Sequence, residues 1–182
     1  MIWLVIILLA LAAYLIFFIS QFINIFFRGY APFISTDRET IRKIISAVQA
    51  VPVKEPAIIY ELGCGRARFL RMMEKVHPQT RTILIGIENL SALYLINKLR
   101  LKLQGSRIEL LKRDFLTVDL KSAALIYCYL NNTTMAKLGE KFRRECRAGT
   151  RIISRSFPIP QFKPEKIMTI KNKKIYFYVF QE

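Results

Sequence analysis

The stretch AIIYELGCGRAR, residues 57–68, joins a short apolar run to a pair of closely spaced glycines. The run over residues 57–62 is continuous, rich in β-branched side chains and preceded by a proline, a pattern typical of a buried strand. Gly63 and Gly65 follow it at once, and residues 69–76 then read as a helix. Because glycine has no Cβ, such a loop can turn tightly and let a ligand approach the backbone. The stretch therefore predicts a strand–loop–helix unit with a ligand site at its loop.

The spacing of the glycines separates two classes of nucleotide site. A dinucleotide fingerprint, G-x-G-x-x-G, needs a third glycine three residues after the second, where the helix packs closely. That position holds Arg68, whose side chain is bulky and charged. The order found instead is the acid Glu61, then Gly63, Gly65 and the small Ala67. This pattern is similar to motif I of class I S-adenosylmethionine-dependent methyltransferases.

Two further acids follow the next two predicted strands. Residues 82–87 form a second apolar run that ends at Glu88, and a third run, 108–112, leads to Asp114. An acid about twenty positions beyond the glycines, at the end of the second strand, suits a carboxylate that accepts ribose hydroxyls. In the resembled class, an acid at the position of Asp114 faces the adenine amino group. Either acid alone could instead cap the turn or helix that follows it, but together with the loop they favour S-adenosylmethionine as cofactor.

The rest of the chain alternates predicted strands with predicted helices. Helices are expected at 37–51, 67–76, 91–103 and 133–146, strands at 57–62, 82–88, 108–112, 124–130 and 150–155, and a hairpin at 166–170 and 174–180. This alternation predicts an α/β fold with a doubly wound, mostly parallel, Rossmann-like sheet of seven strands and one antiparallel edge strand from the hairpin. Ser35 or Thr36 is expected to cap the first of these helices, with Glu39 completing a capping box.

The first 27 residues contain no charged side chain. A bilayer core needs roughly 20 apolar residues in a helix, so residues 1–27 are long enough to span it. A signal peptide would begin with basic residues and have a shorter apolar core, so we favour a retained transmembrane anchor. All 29 Lys and Arg residues follow residue 27, which places the rest of the chain on the cytoplasmic side. We divide the chain into an anchor (1–27), a pre-methyltransferase segment with a helix (28–56) and a methyltransferase domain (57–182).

The chain has a formal net charge of +16. Nucleic acid, an anionic leaflet or an acidic protein could balance this charge, and a tether at a membrane favours the leaflet. The three cysteines have no C-x-x-C spacing and the chain has one histidine, so no zinc site is expected. That histidine, in His77-Pro78, is expected to form the turn after the helix at 67–76.

Several stretches resemble the FAM173-type protein lysine methyltransferases, which include mitochondrial and archaeal members. The glycine loop, Ile87-Glu88-Asn89 and residues 114–120 and 155–162 are similar to that family's segments, with Phe162 in place of a Trp. Residues 32–36 are similar to its pre-methyltransferase segment, so the resemblance implies that Thr36 contacts the cofactor. It also implies that the acceptor is a lysine of a protein, which the anchor would place in or at a membrane.

Tyr129, Asn131 and Phe157 are the candidates for lining the acceptor slot, because ligands of open α/β sheets bind beyond the carboxyl ends of the strands. A lysine acceptor must be neutral, and an apolar slot lowers its pKa by disfavouring the ammonium; no dedicated general base is evident. The alternatives are a methyltransferase for a lipid, a small molecule or RNA, and a basic scaffold without catalysis. Residues 130–133, LNNT, lack the N/D-P-P-Y/F tetrad of many RNA enzymes, and the intact Glu88 and glycines disfavour a scaffold.

Overall fold

A computed structural model describes residues 2–28, 36–50, 56–76, 81–160 and 162–181, with the backbone alone at residues 20, 21 and 23–28. The chain forms two compact units, Met1–Ile34 and Ser35–Glu182. The predicted turn at His77-Pro78, the candidate cap Ser35 and residues 32–35 of the family-like segment lie outside the described residues. The division of the chain into three parts stays a prediction.

The first unit contains one long apolar helix, α1 (Ile2–Arg28). Its first 18 residues, Ile2–Ile19, have a mean hydropathy of 3.0 and are not buried by the protein. By length and composition this helix could cross a membrane, although a signal sequence near an N-terminus has the same properties.

The second unit alternates helices and strands as the sequence predicts, with ends that differ from the predicted ones by at most two residues. Its elements are α2 (Arg38–Gln49), β1 (Ile58–Leu62), α3 (Arg68–Val76), β2 (Ile83–Ile87), α4 (Ser91–Leu103), β3 (Glu109–Leu111), a 3₁₀ turn (Phe115–Thr117), β4 (Ala123–Cys128), α5 (Asn132–Glu145), β5 (Arg151–Arg155), β6 (Lys166–Ile170) and β7 (Lys173–Val179).

Within the described residues, seven strands form one sheet in the order β3-β2-β1-β4-β5-β7-β6. The first five strands of this order are parallel, and β7 is antiparallel to both β5 and β6. The predicted Rossmann-like sheet with an antiparallel hairpin at one edge is confirmed, and the strand at that edge is β6, which is antiparallel to its neighbour β7. Burial agrees with this order: β7, the inner strand of the hairpin, buries Ile175 and Phe177, whereas Ile170 is the only buried residue of β6.

Helices cover both faces of the sheet. Side chains of α2, α3 and α4 share one core with alternate strand residues; this core includes Ile41, Ile44, Ile45, Val48, Phe69, Leu70, Met73, Leu101, Ile59, Leu84, Leu125 and Ile153. On the opposite face, Met135 of α5 lies with its Sδ 3.7 Å from Cys128 Sγ and from Ser154 Oγ. The carboxyl ends of β1 to β5 are therefore left at one uncovered edge, where a ligand can reach them.

The predicted cap of α2 is wrong by one or two residues. Asp37 is the N-cap, and its Oδ1 accepts the backbone N–H of Thr40 at 3.1 Å. An aspartate caps a helix as well as a serine does, and Asp37 also pairs with Lys171 at 3.1 Å. Glu39 pairs with Lys43 and Lys171 at 3.1 and 2.7 Å. Position 37 therefore combines a cap with an ion pair, which the local sequence pattern does not reveal.

Candidate cofactor and acceptor site

The loop between β1 and α3 has a left-handed backbone at three positions. The φ angles are +66° at Gly63, +51° at Gly65 and +47° at Ala67. The positive φ at Gly63 favours glycine, and a Cβ there would also lie 3.0 Å from Cδ2 of Leu130, a tighter contact than most side chains make. Ala67 is fully buried and holds a conformation that costs a non-glycine residue roughly 1–2 kcal/mol. Here the chain departs from the glycine that the resembled family commonly has.

Glu88 stands directly after β2 and ties the glycine loop to that strand. Its Oε2 accepts the N–H of Gly65 at 2.8 Å, and its Oε1 accepts the N–H of Leu90 at 2.7 Å. The N–H of Asn89 also interacts with the carboxylate, which is only 8% exposed. Its own N–H donates to the carbonyl oxygen of Leu111 at 3.0 Å, which joins the ends of β2 and β3. Since a carboxylate offers about four acceptor positions, one remains for a further donor such as a hydroxyl.

Glu61 holds the start of α3 in place. Its Oε2 accepts the N–H of Leu70 at 3.2 Å, and the N–H of Phe69 also interacts with it. Burial raises the pKa of Glu61 to about 8, against the smaller lowering effect of these N–H groups, and Glu88 adds to the rise. Burial likewise raises the pKa of the Cys64 thiol, with further contributions from Glu61 and Glu88. Two buried carboxyl groups thus act on the same loop, an arrangement that favours a ligand with positive charge.

The third predicted acid, Asp114, has a different local role. Its Oδ1 accepts the N–H of Leu116 at 2.9 Å, and its carbonyl oxygen accepts the N–H of Thr117 at 3.0 Å. It therefore caps the 3₁₀ turn after β3. The structure brings Glu61 and Glu88 to one loop, while Asp114 lies at the end of the neighbouring strand.

Thr36 lies above β4 rather than at the cap of α2. Its Oγ1 is 3.1 Å from the hydroxyl of Tyr127, and its carbonyl oxygen accepts Nη1 of Arg68 at 2.8 Å. The ring of Tyr127 stacks on Phe69 at 4.4 Å, and Tyr127 pairs in register with Glu61. Burial raises the pKa of the Tyr127 phenol above its ordinary value, so the phenol stays neutral. This group connects the pre-methyltransferase segment to the glycine loop.

Tyr129 and Phe157 come together beyond the ends of β4 and β5. Their rings are stacked with centroids 6.5 Å apart, and the guanidinium of Arg155 lies 4.6 Å from the centroid of the Tyr129 ring. Arg155 is 8% exposed, and its Nη2 is 3.8 Å from Oδ2 of Asp37. Within the described chain its Nε and Nη1 have no hydrogen-bond partner. The aromatic pair and a buried cation thus lie side by side at this edge.

Asn131, the remaining acceptor-slot candidate, caps α5. Its Oδ1 accepts the N–H of Thr134 at 2.9 Å. The amide oxygen is therefore engaged with the helix, which limits what it can offer an acceptor.

Two residues of this region were not singled out from the sequence as site residues. Tyr127 alternates with apolar neighbours and reads as core, and Arg155 appears only as part of a family-like segment. For Tyr127, the alternation of side chains along a strand offers a signal. A residue in register with Glu61 points to the same face of the sheet as Glu61 does. For Arg155, no local pattern distinguishes a buried arginine from one in solvent.

Known proteins resemble this chain in sequence and in fold. A family model described as the ANTKMT methyltransferase domain matches residues 61–166. A protein-lysine N-methyltransferase of Saccharolobus islandicus (strain REY15A) is 22% identical over 157 residues, covering 84% of this chain and 96% of that protein.

Two solved structures show the same fold. An RNA methyltransferase from Salinibacter ruber, crystallised with S-adenosyl-L-homocysteine, has a TM-score of 0.70 and 19% identity, covering 80% of this chain and 93% of that one. A ribosomal protein L11 methylase from Lactobacillus delbrueckii subsp. bulgaricus has a TM-score of 0.62 and 14% identity, covering 78% of each chain. The fold predicted from the glycine loop and the strand pattern is thereby confirmed.

Proposed function

We propose, since the chain belongs to the ANTKMT methyltransferase domain family, that it methylates the side-chain amine of a protein lysine. The chain is an S-adenosylmethionine-dependent methyltransferase. The observation that carries the proposal of a lysine acceptor is the family match over residues 61–166. The matched residues include the glycine loop, the buried acids Glu61 and Glu88, and the aromatic pair Tyr129 and Phe157. The relative from Saccharolobus islandicus, a protein-lysine N-methyltransferase, supports the same acceptor.

The residues at the ends of β1 and β2 fit the cofactor. Gly63 and Gly65 have left-handed backbones and no Cβ, so the loop can offer a bare backbone to a ligand. We assign a ribose hydroxyl to Glu88, which has one acceptor position left, and place the positively charged part of the cofactor near Glu61, whose ionised form a positive charge would stabilise. Asp114 and Thr36 are proposed as further cofactor contacts.

When bound, S-adenosylmethionine would supply an activated methyl group: the amine nitrogen would bond to the methyl carbon as the carbon–sulfur bond breaks, and the sulfur would leave as a thioether. The chain's own residues then have two tasks, to position the acceptor nitrogen and to keep it unprotonated. We propose that Tyr129 and Phe157 form the walls of the acceptor slot. Their rings exclude water, and exclusion of water disfavours the ammonium form of a lysine.

Arg155 helps to keep the acceptor nitrogen unprotonated through its positive charge. Its guanidinium lies against Tyr129, and a buried positive charge close to a lysine lowers the pKa of that lysine. Because lysine has an ordinary pKa of about 10.4, a lowering of this kind raises the fraction of neutral amine at physiological pH. No separate general base is then required to hold the proton.

We further propose that α1 anchors the enzyme in a membrane, with the second unit on the cytoplasmic side. The support is the length and hydropathy of α1 and the position of all Lys and Arg residues after residue 27. Seven residues separate Arg28 from Thr36, and seven extended residues reach about 25 Å. An anchored enzyme would therefore work close to the bilayer, and a membrane or membrane-associated protein is the proposed acceptor.

RNA is the second candidate acceptor, favoured by the net charge of +16. A transfer assay separates the candidates: the full-length protein is incubated with isotope-labelled S-adenosylmethionine and either a membrane fraction or total RNA, both from cells that lack the gene. We expect label in protein, and mass spectrometry should locate one to three methyl groups on a lysine. Label in RNA alone would reject the lysine proposal, and no label in either fraction, with S-adenosylmethionine bound, would indicate a scaffold.

A further inference from the structure

Helix α4 presents an apolar stripe to solvent. Its buried residues are Leu93, Asn97 and Leu101, whereas four large apolar side chains point outwards: Leu95 (63% exposed), Ile96 (57%), Leu99 (60%) and Leu103 (78%). At about 100° per residue, these four lie within one sector of roughly 100°, opposite the buried ones. Single exposed apolar residues are ordinary, but a contiguous apolar surface marks an interaction site.

Basic side chains border this stripe on both sides. The same helical geometry places Lys98 and Lys102 along one border and Arg100 along the other. Lys98 lies with its Nζ 5.4 Å from the centroid of the Tyr94 ring. Helix α4 contains no acidic residue. The apolar stripe would therefore fit an apolar interior, and the basic borders would fit negative groups at the surface of the same partner.

The neighbouring helices add positive charge to the same layer. Partial burial lowers the pKa of Arg71 in α3, and the positive charges of Arg100, Arg38 and Arg68 lower it further, against a smaller opposite effect of Glu74. These arginines come from α2, α3 and α4, which cover one face of the sheet. Mutual repulsion among them would be relieved by anionic groups placed over this layer.

We propose that α4 lies on the surface of an anionic lipid bilayer, with the stripe among the upper acyl chains and its basic borders at the lipid phosphates. A helix with an apolar face and Lys or Arg beside it binds membranes in this way. A second copy of the chain is a poorer occupant, because paired α4 helices would bring Lys98, Arg100 and Lys102 of both copies together without any acid. The inference rests on the membrane attachment proposed for α1.

This placement has a consequence for the acceptor. Helix α4 begins at Ser91, three residues after Glu88, so its first turn lies at the edge of the sheet where the cofactor acid stands. A bilayer in contact with α4 would therefore be near that edge, and lysines close to the membrane surface would be within reach.

The test uses the full-length protein reconstituted in vesicles, with an environment-sensitive fluorophore attached at Leu99→Cys. Leu99 is exposed, so the substitution leaves the core intact, and the native cysteines Cys64, Cys128 and Cys146 are buried. The matched control carries the fluorophore at Glu140→Cys, an exposed position of α5 on the opposite face. Vesicles contain phosphatidylcholine alone or with phosphatidylglycerol, and nitroxide groups on the acyl chains quench fluorophores that enter the membrane.

We expect quenching at position 99 to exceed that at position 140 at least threefold in the anionic vesicles, and Lys98→Glu combined with Lys102→Glu to remove most of the difference. Flotation of the vesicles reports the attachment by α1 separately. Flotation with equal quenching at the two positions would overturn the inference about α4 alone, whereas no flotation with either lipid would overturn both proposals. Cross-linking of two copies of the unlabelled Leu99→Cys variant through the introduced thiol, without quenching of the labelled one, would assign the stripe to self-association and overturn the bilayer.

Discussion

The carboxylate of Glu88 and the backbone N–H of Gly65 lie 2.8 Å apart, although 23 positions separate the two residues in the chain. The same carboxylate stands at the end of β2, where we place the ribose of the cofactor. The acid that we propose for the ribose thus also holds the glycine loop in place. Removing the acid should therefore affect binding both directly and through the loop.

We predict that Glu88→Ala weakens the binding of S-adenosylhomocysteine at least about 30-fold. Hydrogen bonds to a charged group contribute about 1.5–3 kcal/mol each, and the substitution removes those to the ligand as well as the one to Gly65. Isothermal titration calorimetry measures the loss. Asp119→Asn, an exposed acid that accepts the N–H of Lys121, is the control and should bind normally; equal affinity of both variants would remove Glu88 from the site.

The left-handed loop offers a second prediction with a closely matched control. Gly65→Arg should abolish binding of S-adenosylmethionine, because φ is +51° and the added side chain would occupy the loop. Gly105→Arg introduces a similar backbone strain, at φ +59°, with nothing within 4 Å of the new Cβ. Both variants should lose comparable thermal stability, but only Gly65→Arg should lose the calorimetric signal. Loss of binding in both would mean that strain, not position, is responsible.

The fold and the loop could be predicted because their signals are local. A continuous apolar run followed by glycines specifies a strand and a turn whatever lies elsewhere, and Glu61 and Glu88 mark the ends of two such runs. The order of the last two strands could not be predicted in this way. It depends on which strand is buried against β5, and β6 and β7 are both strand-like runs that begin with lysine.

The acceptor side depends on contacts between distant residues. Thr36 and Tyr127 are 91 positions apart, and their hydrogen bond exists only because α2 packs over β4. Arg155 also depends on distant contacts, because it lies near Asp37, the N-cap of α2, and against the ring of Tyr129. The local pattern leaves Tyr127 as a core residue, and it leaves Asp114 as either a ligand or a cap until the structure shows its bond to the N–H of Leu116.

Arg155 provides a prediction about the pH dependence of transfer. Arg155→Met removes a positive charge beside the proposed slot, so the pKa of the acceptor lysine should rise. The pH profile of kcat should then shift to higher pH, with about a tenfold loss at pH 7 that shrinks towards pH 9. Binding of S-adenosylhomocysteine should stay unchanged. The fold should tolerate methionine, because Nε and Nη1 have no partner to lose among the described residues and Asp37, 3.8 Å from Nη2, keeps Thr40 and Lys171 as partners. Arg155→Lys keeps the charge and serves as the control; a profile that shifts equally in both variants would contradict the electrostatic role.

Glu61 leads to a prediction about stability and pH. Its pKa in the folded protein is about 8, mainly because of burial, against an ordinary value of 4.5. The folded state thus prefers the protonated acid, so the stability that this group contributes is fully present below pH 4.5 and is lost as the pH rises through 8. One such group changes the free energy of unfolding by at most about 1.4 kcal/mol per pH unit. Thermal unfolding of the cofactor-free protein in detergent, followed by circular dichroism from pH 5 to 8, should show this decline.

The variant Glu61→Gln cannot ionise, yet its amide oxygen can still accept the N–H of Leu70. We expect its midpoint temperature to fall less steeply across the same pH range, so that its advantage over the unaltered protein grows with pH. Some decline should remain, because burial raises the pKa of Glu88 in the same direction. Asp119→Asn, whose carboxylate is exposed, should keep the full slope. Parallel curves for Glu61→Gln and the unaltered protein would show that Glu61 is already ionised in the fold, and the buried-acid account of the loop would have to be abandoned.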